Sequence, residues 1–187
     1  SDPKFIAIGA VGAFGFPLYY FVWHDLFPQP YENLTLRLAG TVLFIPLILV
    51  KSWPQKLRRF LPIYWFAAIW FALPFFFIFM FLKNGGSHAW AMSVLSAVFL
   101  MTLLVNWRTL VVMFGVGTVF GWLAYYATTD SIASPTVYGT DLAVFLFAIV
   151  GGSIINMSAE RVVHERLAAM LTAANNIAHE LRTPLLS

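Results

Sequence analysis

The sequence predicts an all-α membrane protein with six transmembrane helices, the last of which continues into a cytoplasmic helix. Of its 187 residues, 60% are hydrophobic, 18% are aromatic and only 10% are charged. The mean hydropathy of +0.81 is typical of chains that fold in a bilayer rather than in water. The chain has no cysteine, which excludes disulfide frameworks and cysteine-based metal or redox sites.

Six apolar stretches reach the roughly 17 to 25 residues that a transmembrane helix needs. They are separated by turn-rich or charged segments such as DLFPQPYEN, KSWPQKLRRF and KNGGSH. We predict the spans at residues 4–24, 34–50, 61–82, 89–105, 110–127 and 140–157. Glycines 9, 12 and 15 and the pair 117 and 121 are expected to form small-residue packing faces, and Pro17, Pro46 and Pro74 to bend their helices.

The connecting segments predict the orientation of the chain in the membrane. Basic residues dominate the second and fourth connections: Lys51, Lys56, Arg58, Arg59 and Arg108. Acidic residues dominate the others: Asp25, Glu32, Asp130 and Asp141. Because cytoplasmic loops carry the positive excess, both termini are predicted in the cytoplasm of a bacterial inner membrane. The net charge of +3 is thereby explained without nucleic acid as a partner.

Residues 177–185, IAHELRTPL, have the residue types of a histidine phosphoacceptor box. The neutral imidazole of His179 can attack the γ-phosphate of ATP, and Glu180 can orient the ring and take its proton. Thr183, about one turn beyond, can position a water or the phosphoryl group, while Pro184 is expected to kink the helix. The motif predicts a sensor histidine kinase phosphorylated on His179, with Glu180 and Thr183 as catalytic partners.

The segment before His179 carries a heptad pattern. Apolar residues follow one another at spacings of four, three, four, three and four, which predicts a two-stranded coiled coil or helical bundle and hence a homodimer. His179 lies off this seam, two residues after Ile177, where a nucleotide-binding domain can reach it. The alternative is a juxtamembrane helix with an ordinary exposed histidine. The seam residues are Val163, Leu167, Met170, Ala174, Ile177 and Leu181.

The chain has no glycine-rich nucleotide motif and no asparagine box for Mg²⁺. We therefore expect a transmembrane sensor domain over residues 1–157 and the start of a dimerisation and phosphotransfer helix over residues 158–187. ATP and Mg²⁺ are expected to bind a separate catalytic domain, so this fragment is expected to be inactive by itself. The parent enzyme, with possible phosphatase activity, would pass its phosphoryl group to a receiver domain or phosphotransfer protein.

The outer connections are short, so the stimulus is expected to be apolar and sensed in the bilayer. Trp90 and Ser93 are three residues apart and share a helix face on which a ligand's polar group and chain could bind. Arg37 is a costly charge inside the second span and a further candidate ligand-binding residue, with Glu32 or Asp141 as its partner. The alternatives are that Ser93 only permits close helix packing and that Arg37 forms a purely structural ion pair.

Several strings resemble the membrane sensor of the CqsS-type quorum-sensing histidine kinases: FPLYYFVWHDLFPQPYENLTLRLAGTVLF, LPFFFIFMFLKN, WAMSVLSAVFL, FLF at 145–147 and IAHELRTPL. The resemblance implies a receptor for α-hydroxyketone autoinducers, with Trp90, Ser93 and Phe147 as ligand contacts. The family box often has Asn where this chain has Thr183.

Two alternatives stay open at this point. The same kinase could sense another lipid-like molecule or a physical property of the bilayer. A small transporter or membrane enzyme would need a polar path through the membrane, and apart from Arg37 such residues are scarce in the spans.

Overall fold

The computed structural model describes residues 2–130 and 139–182, and all regular structure in these two ranges is helical. The predicted all-α fold class is therefore confirmed. π-Helical turns extend the first helix over Val22–Leu26 and join the fourth to the fifth over Phe71–Phe75. The α-helices are α1 Asp2–Phe21, α2 Leu34–Ile48, α3 Gln55–Arg58, α4 Leu61–Trp70, α5 Phe76–Lys83, α6 His88–Leu104, α7 Trp107–Ala127 and α8 Gly139–Arg182.

Four helical segments are long and apolar enough to cross a membrane: Pro3–Leu26, Leu61–Lys83, Trp107–Ala127 and Asp141–Asn175. The predicted second and fourth spans are also apolar helices, but α2 has 15 residues and α6 has 17. At about 1.5 Å per residue they measure about 22 and 25 Å, less than the roughly 30 Å hydrocarbon core. The structure supports four membrane-spanning helices by length, and the six-span topology stays a prediction.

Local sequence signals set where several of the helices begin and end. The Oδ1 atoms of Asn33 and Asn106 accept the backbone N–H of Leu36 and Thr109, both at 2.9 Å, and so cap α2 and α7. Between α5 and α6 the backbone turns through two glycines with φ of 63° and 73°. Only glycine adopts these left-handed values freely, which brings the N-terminus of α6 directly beside the end of α5.

The first two helices form an antiparallel hairpin with a glycine contact face. A Cβ atom at Gly9 would lie 2.8 Å from the backbone nitrogen of Ile48, and one at Gly12 would lie 2.4 Å from the ring of Phe44. Gly15 has no such neighbour within 4 Å. The predicted small-residue face is therefore confirmed for Gly9 and Gly12, whereas Gly15 lies off it.

The π-helical turn between α4 and α5 packs on α7. Pro74 lies inside this turn and is buried. Proline lacks the N–H of the regular ladder, and a local π-helical adjustment is one way in which an apolar helix accommodates it. A Cβ at Gly117 would lie 2.5 Å from the Cβ of Pro74, and one at Gly121 would lie 2.8 Å from Cγ2 of Ile78. The predicted packing face on α7 is confirmed, and its first partner is the rigid ring of Pro74.

We expect Gly117→Ala to destabilise the fold, because the proline ring has no alternative rotamer that would accommodate a methyl group. Overpacking of this kind costs about 1–3 kcal/mol. Thermal unfolding in detergent, followed by tryptophan fluorescence, should show a lower midpoint. Gly115→Ala is the matched control, since a Cβ there meets no atom within 4 Å. Equal midpoints for the two variants would contradict this account of the α4–α5 turn.

Candidate functional site

The most distinctive feature of the membrane half is a buried ion pair. Nη2 of Arg37 lies 2.7 Å from Oε2 of Glu32, and the two side chains are 4% and 3% exposed. Nε of Arg37 donates to Oε1 of the same carboxylate at 3.0 Å, so the contact is bidentate. Oε1 also accepts the backbone N–H of Asn33 at 3.0 Å. Of the two partners considered from the sequence, Glu32 is therefore the one that pairs with Arg37.

The face of the guanidinium group is covered by aromatic rings. The central carbon of Arg37 lies 4.8 Å from the ring centroid of Phe76 and 5.6 Å from that of Trp90. Both distances allow cation–π attraction, which is strongest where water is excluded. Phe76 and Trp90 are each 0% exposed. Arg37 thus links the α1–α2 loop to α5 and α6 through two different interactions.

Trp90 and four neighbouring rings form what we call the aromatic cluster, drawn from α1, its π-helical extension, α5 and α6. The centroid of Trp90 lies 6.2 Å from Trp23, 6.1 Å from Phe76 and 6.2 Å from Phe77. Phe16 meets Phe76 edge to face at 5.1 Å. Offset and edge-on pairs at such separations are favourable. The members are Phe16, Trp23, Phe76, Phe77 and Trp90.

The indole nitrogen of Trp90 stands out within the aromatic cluster. It is buried, yet it has no hydrogen-bond partner among the residues that the structure describes. Buried tryptophan N–H groups usually find an acceptor, because an unsatisfied donor carries a desolvation penalty of about 1–3 kcal/mol. The site therefore contains a free donor directed into an apolar environment, and this is the kind of group that binds a ligand carbonyl.

Ser93 lies one helical turn after Trp90 on the same face of α6, as the sequence predicts, and is half-buried. Its hydroxyl donates to the carbonyl of Ala89 at 2.8 Å. Ser96 makes the equivalent bond to Met92 at 2.9 Å but is exposed. Because the Ser93 oxygen can still accept a hydrogen bond, it offers a second polar contact close to the indole.

Phe147 is not brought into the aromatic cluster. It is 79% exposed on α8, whereas Phe145, two residues earlier, is 4% exposed and meets Phe81 edge to face at 5.3 Å. Residues two apart on a helix point about 200° apart, so only one of the two can face the bundle. The role of Phe147 in ligand binding stays a prediction, and Phe145 is the ring of α8 that packs inward.

Polar contacts fasten the α1–α2 loop over the end of α5, and sequence reasoning missed them. Asn84 is 5% exposed, and its Oδ1 accepts the backbone N–H of Tyr31 at 2.9 Å. Its Nδ2 donates to the carbonyl of Met80 at 2.8 Å, and Nζ of Lys83 lies 4.9 Å from the Tyr31 ring centroid. The only signal for this role was the position of Asn84 directly before the two glycines. The loop that carries Glu32 is thereby held in place.

Neither of two surface pockets in the described part of the chain includes the predicted ligand residues. One of about 400 Å³ lies between α4 and α7, beside Trp70 and Met113. The other, of about 500 Å³, lies between the α6–α7 turn and α8, beside Asn106, Asn156 and His164. The aromatic cluster itself is close-packed, so a ligand would have to separate its rings.

The predicted phosphoacceptor residues lie at the far end of α8. The helix is continuous over Gly139–Arg182 and so includes the backbone of residues 179 and 180. The side chains of His179 and Glu180, and the whole of Thr183, lie outside the described residues. Along the preceding heptad seam Val163, Leu167, Met170 and Ile177 are each more than half exposed. The seam is free to meet a partner helix, and the homodimer stays a prediction.

We expect the single variants Glu32→Gln and Arg37→Met to unfold at clearly lower temperatures, because each leaves an unpaired polar or charged group buried. Breaking one side of such a pair costs about 3–5 kcal/mol. The double variant should recover part of this loss. Thermal unfolding in detergent measures all three, with Asp25→Asn, an exposed acid beside the same loop, as the matched control. A double variant less stable than both singles would contradict the pairing as the source of stability.

The whole chain is similar to a known sensor protein. It is 38% identical over 187 residues, 99% of its length, to the CAI-1 autoinducer sensor kinase/phosphatase CqsS of Vibrio cholerae serotype O1, and it spans 27% of that protein. No protein-family model and no solved structure matches the chain. The resemblance inferred from the local strings is confirmed over nearly the full sequence: this chain is a relative of one part of a CqsS-type sensor kinase.

Proposed function

We propose that the chain is the membrane receptor part of a two-component sensor histidine kinase, which detects an α-hydroxyketone and controls phosphorylation of His179. The observation that carries this proposal is the extent of the similarity. It covers 99% of the chain, so the aligned region includes both the aromatic cluster and the HELRTPL box. The relative is named as an autoinducer sensor and as a kinase/phosphatase.

The chemistry of the aromatic cluster supports a ligand of this class. An α-hydroxyketone has a carbonyl acceptor beside a hydroxyl group, on an apolar chain. In the proposed complex the carbonyl accepts the free N–H of Trp90, the hydroxyl bonds with Ser93, and the chain lies among the neighbouring phenylalanines. The guanidinium group of Arg37, which is paired with Glu32, lies over the face of the Trp90 ring and so helps to position the indole. Phe147 can contribute only if α8 turns or a second copy covers it, since it is exposed here.

The close packing of the aromatic cluster suggests how binding becomes a signal. Because these rings contact one another in this structure, an acyl chain that enters the cluster must displace ring–ring contacts among α1, α5 and α6. A ligand shifts a conformational equilibrium only by its difference in affinity for the two arrangements. The ligand is therefore proposed to select a state in which α6 has moved relative to α1 and α5.

The length of α8 supports a cytoplasmic output. Its 44 residues give about 66 Å at 1.5 Å per residue, roughly twice the hydrocarbon thickness. Much of the helix must therefore lie outside the bilayer. We place this part, with the C-terminus and the N-terminus, in the cytoplasm of an inner membrane crossed six times. There a catalytic domain holding ATP and Mg²⁺ would phosphorylate His179, assisted by Glu180 and Thr183, for transfer to a receiver domain or phosphotransfer protein.

The proposed function predicts that the ligand changes phosphorylation of the parent protein. In the full-length parent protein, reconstituted in nanodiscs, a panel of medium-chain α-hydroxyketones should change phosphorylation, and His179→Gln should abolish it. Trp90→Phe and Ser93→Ala should each raise the half-effective concentration about 3- to 10-fold, the value of one neutral hydrogen bond. Autophosphorylation with labelled ATP is the measurement.

Ser96→Ala is the control for this series, because Ser96 makes the same backbone bond as Ser93 from an exposed position. Its response should match the parent. If phosphorylation occurs but does not respond to any hydroxyketone, the kinase function is supported and the proposed ligand is wrong. Other lipids and bilayer properties would then be tested as stimuli.

The heptad pattern predicts that two copies of α8 meet along the seam. Met170 lies on the heptad seam and Leu171 lies beside it, and both are exposed, at 68% and 59%. Because this sequence contains no cysteine, single cysteines can be introduced without background. Met170→Cys should form an intermolecular disulfide under mild oxidation much faster than Leu171→Cys. Equal rates at the two positions, measured on non-reducing gels, would argue against this seam.

A further inference from the structure

A side chain of α8 forms hydrogen bonds with the backbone at the end of α6. Nδ2 of Asn156, on α8, donates to the carbonyl of Thr102 at 2.7 Å and to that of Val105 at 3.0 Å. These carbonyls belong to the last turn of α6 and its C-cap, where the helix leaves backbone acceptors without intrahelical partners. One amide group therefore caps α6 and joins it to α8.

A glycine one turn earlier on α8 lets the two helices come this close. A Cβ atom at Gly152 would lie 2.6 Å from Cγ2 of Thr102, whereas one at the adjacent Gly151 would meet nothing within 4 Å. Residues 152 and 156 are four apart and so share one face of α8. We call Thr102, Val105, Gly152 and Asn156 the α6–α8 clamp.

The clamp lies where α8 leaves the helical bundle. In residues 139–182 as far as they are described, Asn156 is the last residue of α8 that bonds to another helix. From residue 158 the described side chains of α8 are exposed. His179 follows 23 residues later, about 35 Å along the helix. Within the described residues, the clamp is therefore the last hydrogen-bonded connection between α6 and α8 before the exposed part of α8.

The other end of α6 carries the proposed ligand contacts. Trp90 and Ser93 lie in its first two turns and Thr102 in its last. α6 is a single helix without proline or glycine, so it can act as a rigid rod between the two ends. A displacement at the aromatic cluster would therefore appear at the clamp.

The hydrogen bonding of the clamp is incomplete. Oδ1 of Asn156 and Oγ of the neighbouring Ser153 are buried and have no partner among the described residues. A purely structural contact would be expected to satisfy such groups. These unpaired groups can instead form new hydrogen bonds when α8 rotates against α6. The contact can then exist in two alternative hydrogen-bonded arrangements.

We propose that the α6–α8 clamp couples the ligand site to the phosphoacceptor helix, with Asn156 as the positioning residue that transmits movement of α6 to α8. This inference rests on the proposed receptor function and adds the residues through which the signal passes. Gly152 sets the distance between the helices, and Asn156 fixes their relative rotation.

The test uses two measurements on the same variants. In the first, spin labels at positions 112 and 171, both exposed, report the distance between α7 and the distal part of α8 in nanodiscs, with unlabelled chain added so that each distance lies within one copy. Gly152→Ala and Asn156→Leu should replace a narrow distance distribution by a broad or shifted one. Gly151→Ala should leave it unchanged.

Gly152→Ala combined with Thr102→Ser should restore the narrow distribution, because serine lacks the clashing Cγ2 and keeps the hydroxyl that bonds to the Phe99 carbonyl. This rescue separates a local clash from general misfolding. Failure of the rescue, or unchanged distances in both clamp variants, would overturn the proposal.

The second measurement is autophosphorylation of the full-length parent with and without the α-hydroxyketone panel. Gly152→Ala and Asn156→Leu should keep basal phosphorylation but lose its dependence on the ligand, and the Thr102→Ser double variant should regain it. Normal ligand dependence in both clamp variants would overturn the coupling role. If the unmodified parent ignores every hydroxyketone, the proposed ligand fails, and the spin-label distances alone then decide for or against the clamp.

Discussion

A guanidinium group cannot remain unpaired in the apolar interior of a membrane protein, and much of this structure follows from how Arg37 is paired. The bidentate contact with Glu32 pulls the α1–α2 loop back over the start of α2. The rings of Phe76 and Trp90 then cover the remaining face of the cation. Because the desolvation cost of burying both charges is large, the loop, α5 and α6 are held to one arrangement around Trp90.

The same arrangement combines rigidity with one unsatisfied group. Asn84 and the ion pair fix the loop, and close ring contacts fix the indole, but the indole N–H itself has no acceptor. A binding site for an apolar ligand needs such a contrast, because a few polar groups must give orientation while apolar surface gives affinity.

The sequence predicts the order of the helices well, since long apolar runs broken by charged or turn-forming segments leave little choice. It also predicts that Arg37 is paired, because an intramembrane charge demands a partner. It leaves Glu32 and Asp141 as alternatives, and the structure selects Glu32. It does not predict which face of each helix is buried. The spans are apolar on all sides, so Phe145 and Phe147 look alike in sequence although only Phe145 packs inward, and no amphipathic stripe separates Gly15 from Gly12. Which of these residues is buried depends on how the neighbouring helices pack, and that packing is not visible in the local sequence.

α8 contacts the rest of the bundle mainly through α6 and α7, and these two helices are positioned by different interactions. α7 packs through glycines against the π-helical turn and α5, at Pro74 and Ile78. Its position is therefore set by the rigid ring of Pro74 and not by the indole of Trp90. α6 carries the indole itself and ends in hydrogen bonds to Asn156. Side-chain hydrogen bonds depend steeply on the donor–acceptor distance and angle, so a displacement of α6 changes the bonds to Asn156 directly. A rotation of α8 is therefore more directly tied to the state of Trp90 through α6 than through α7.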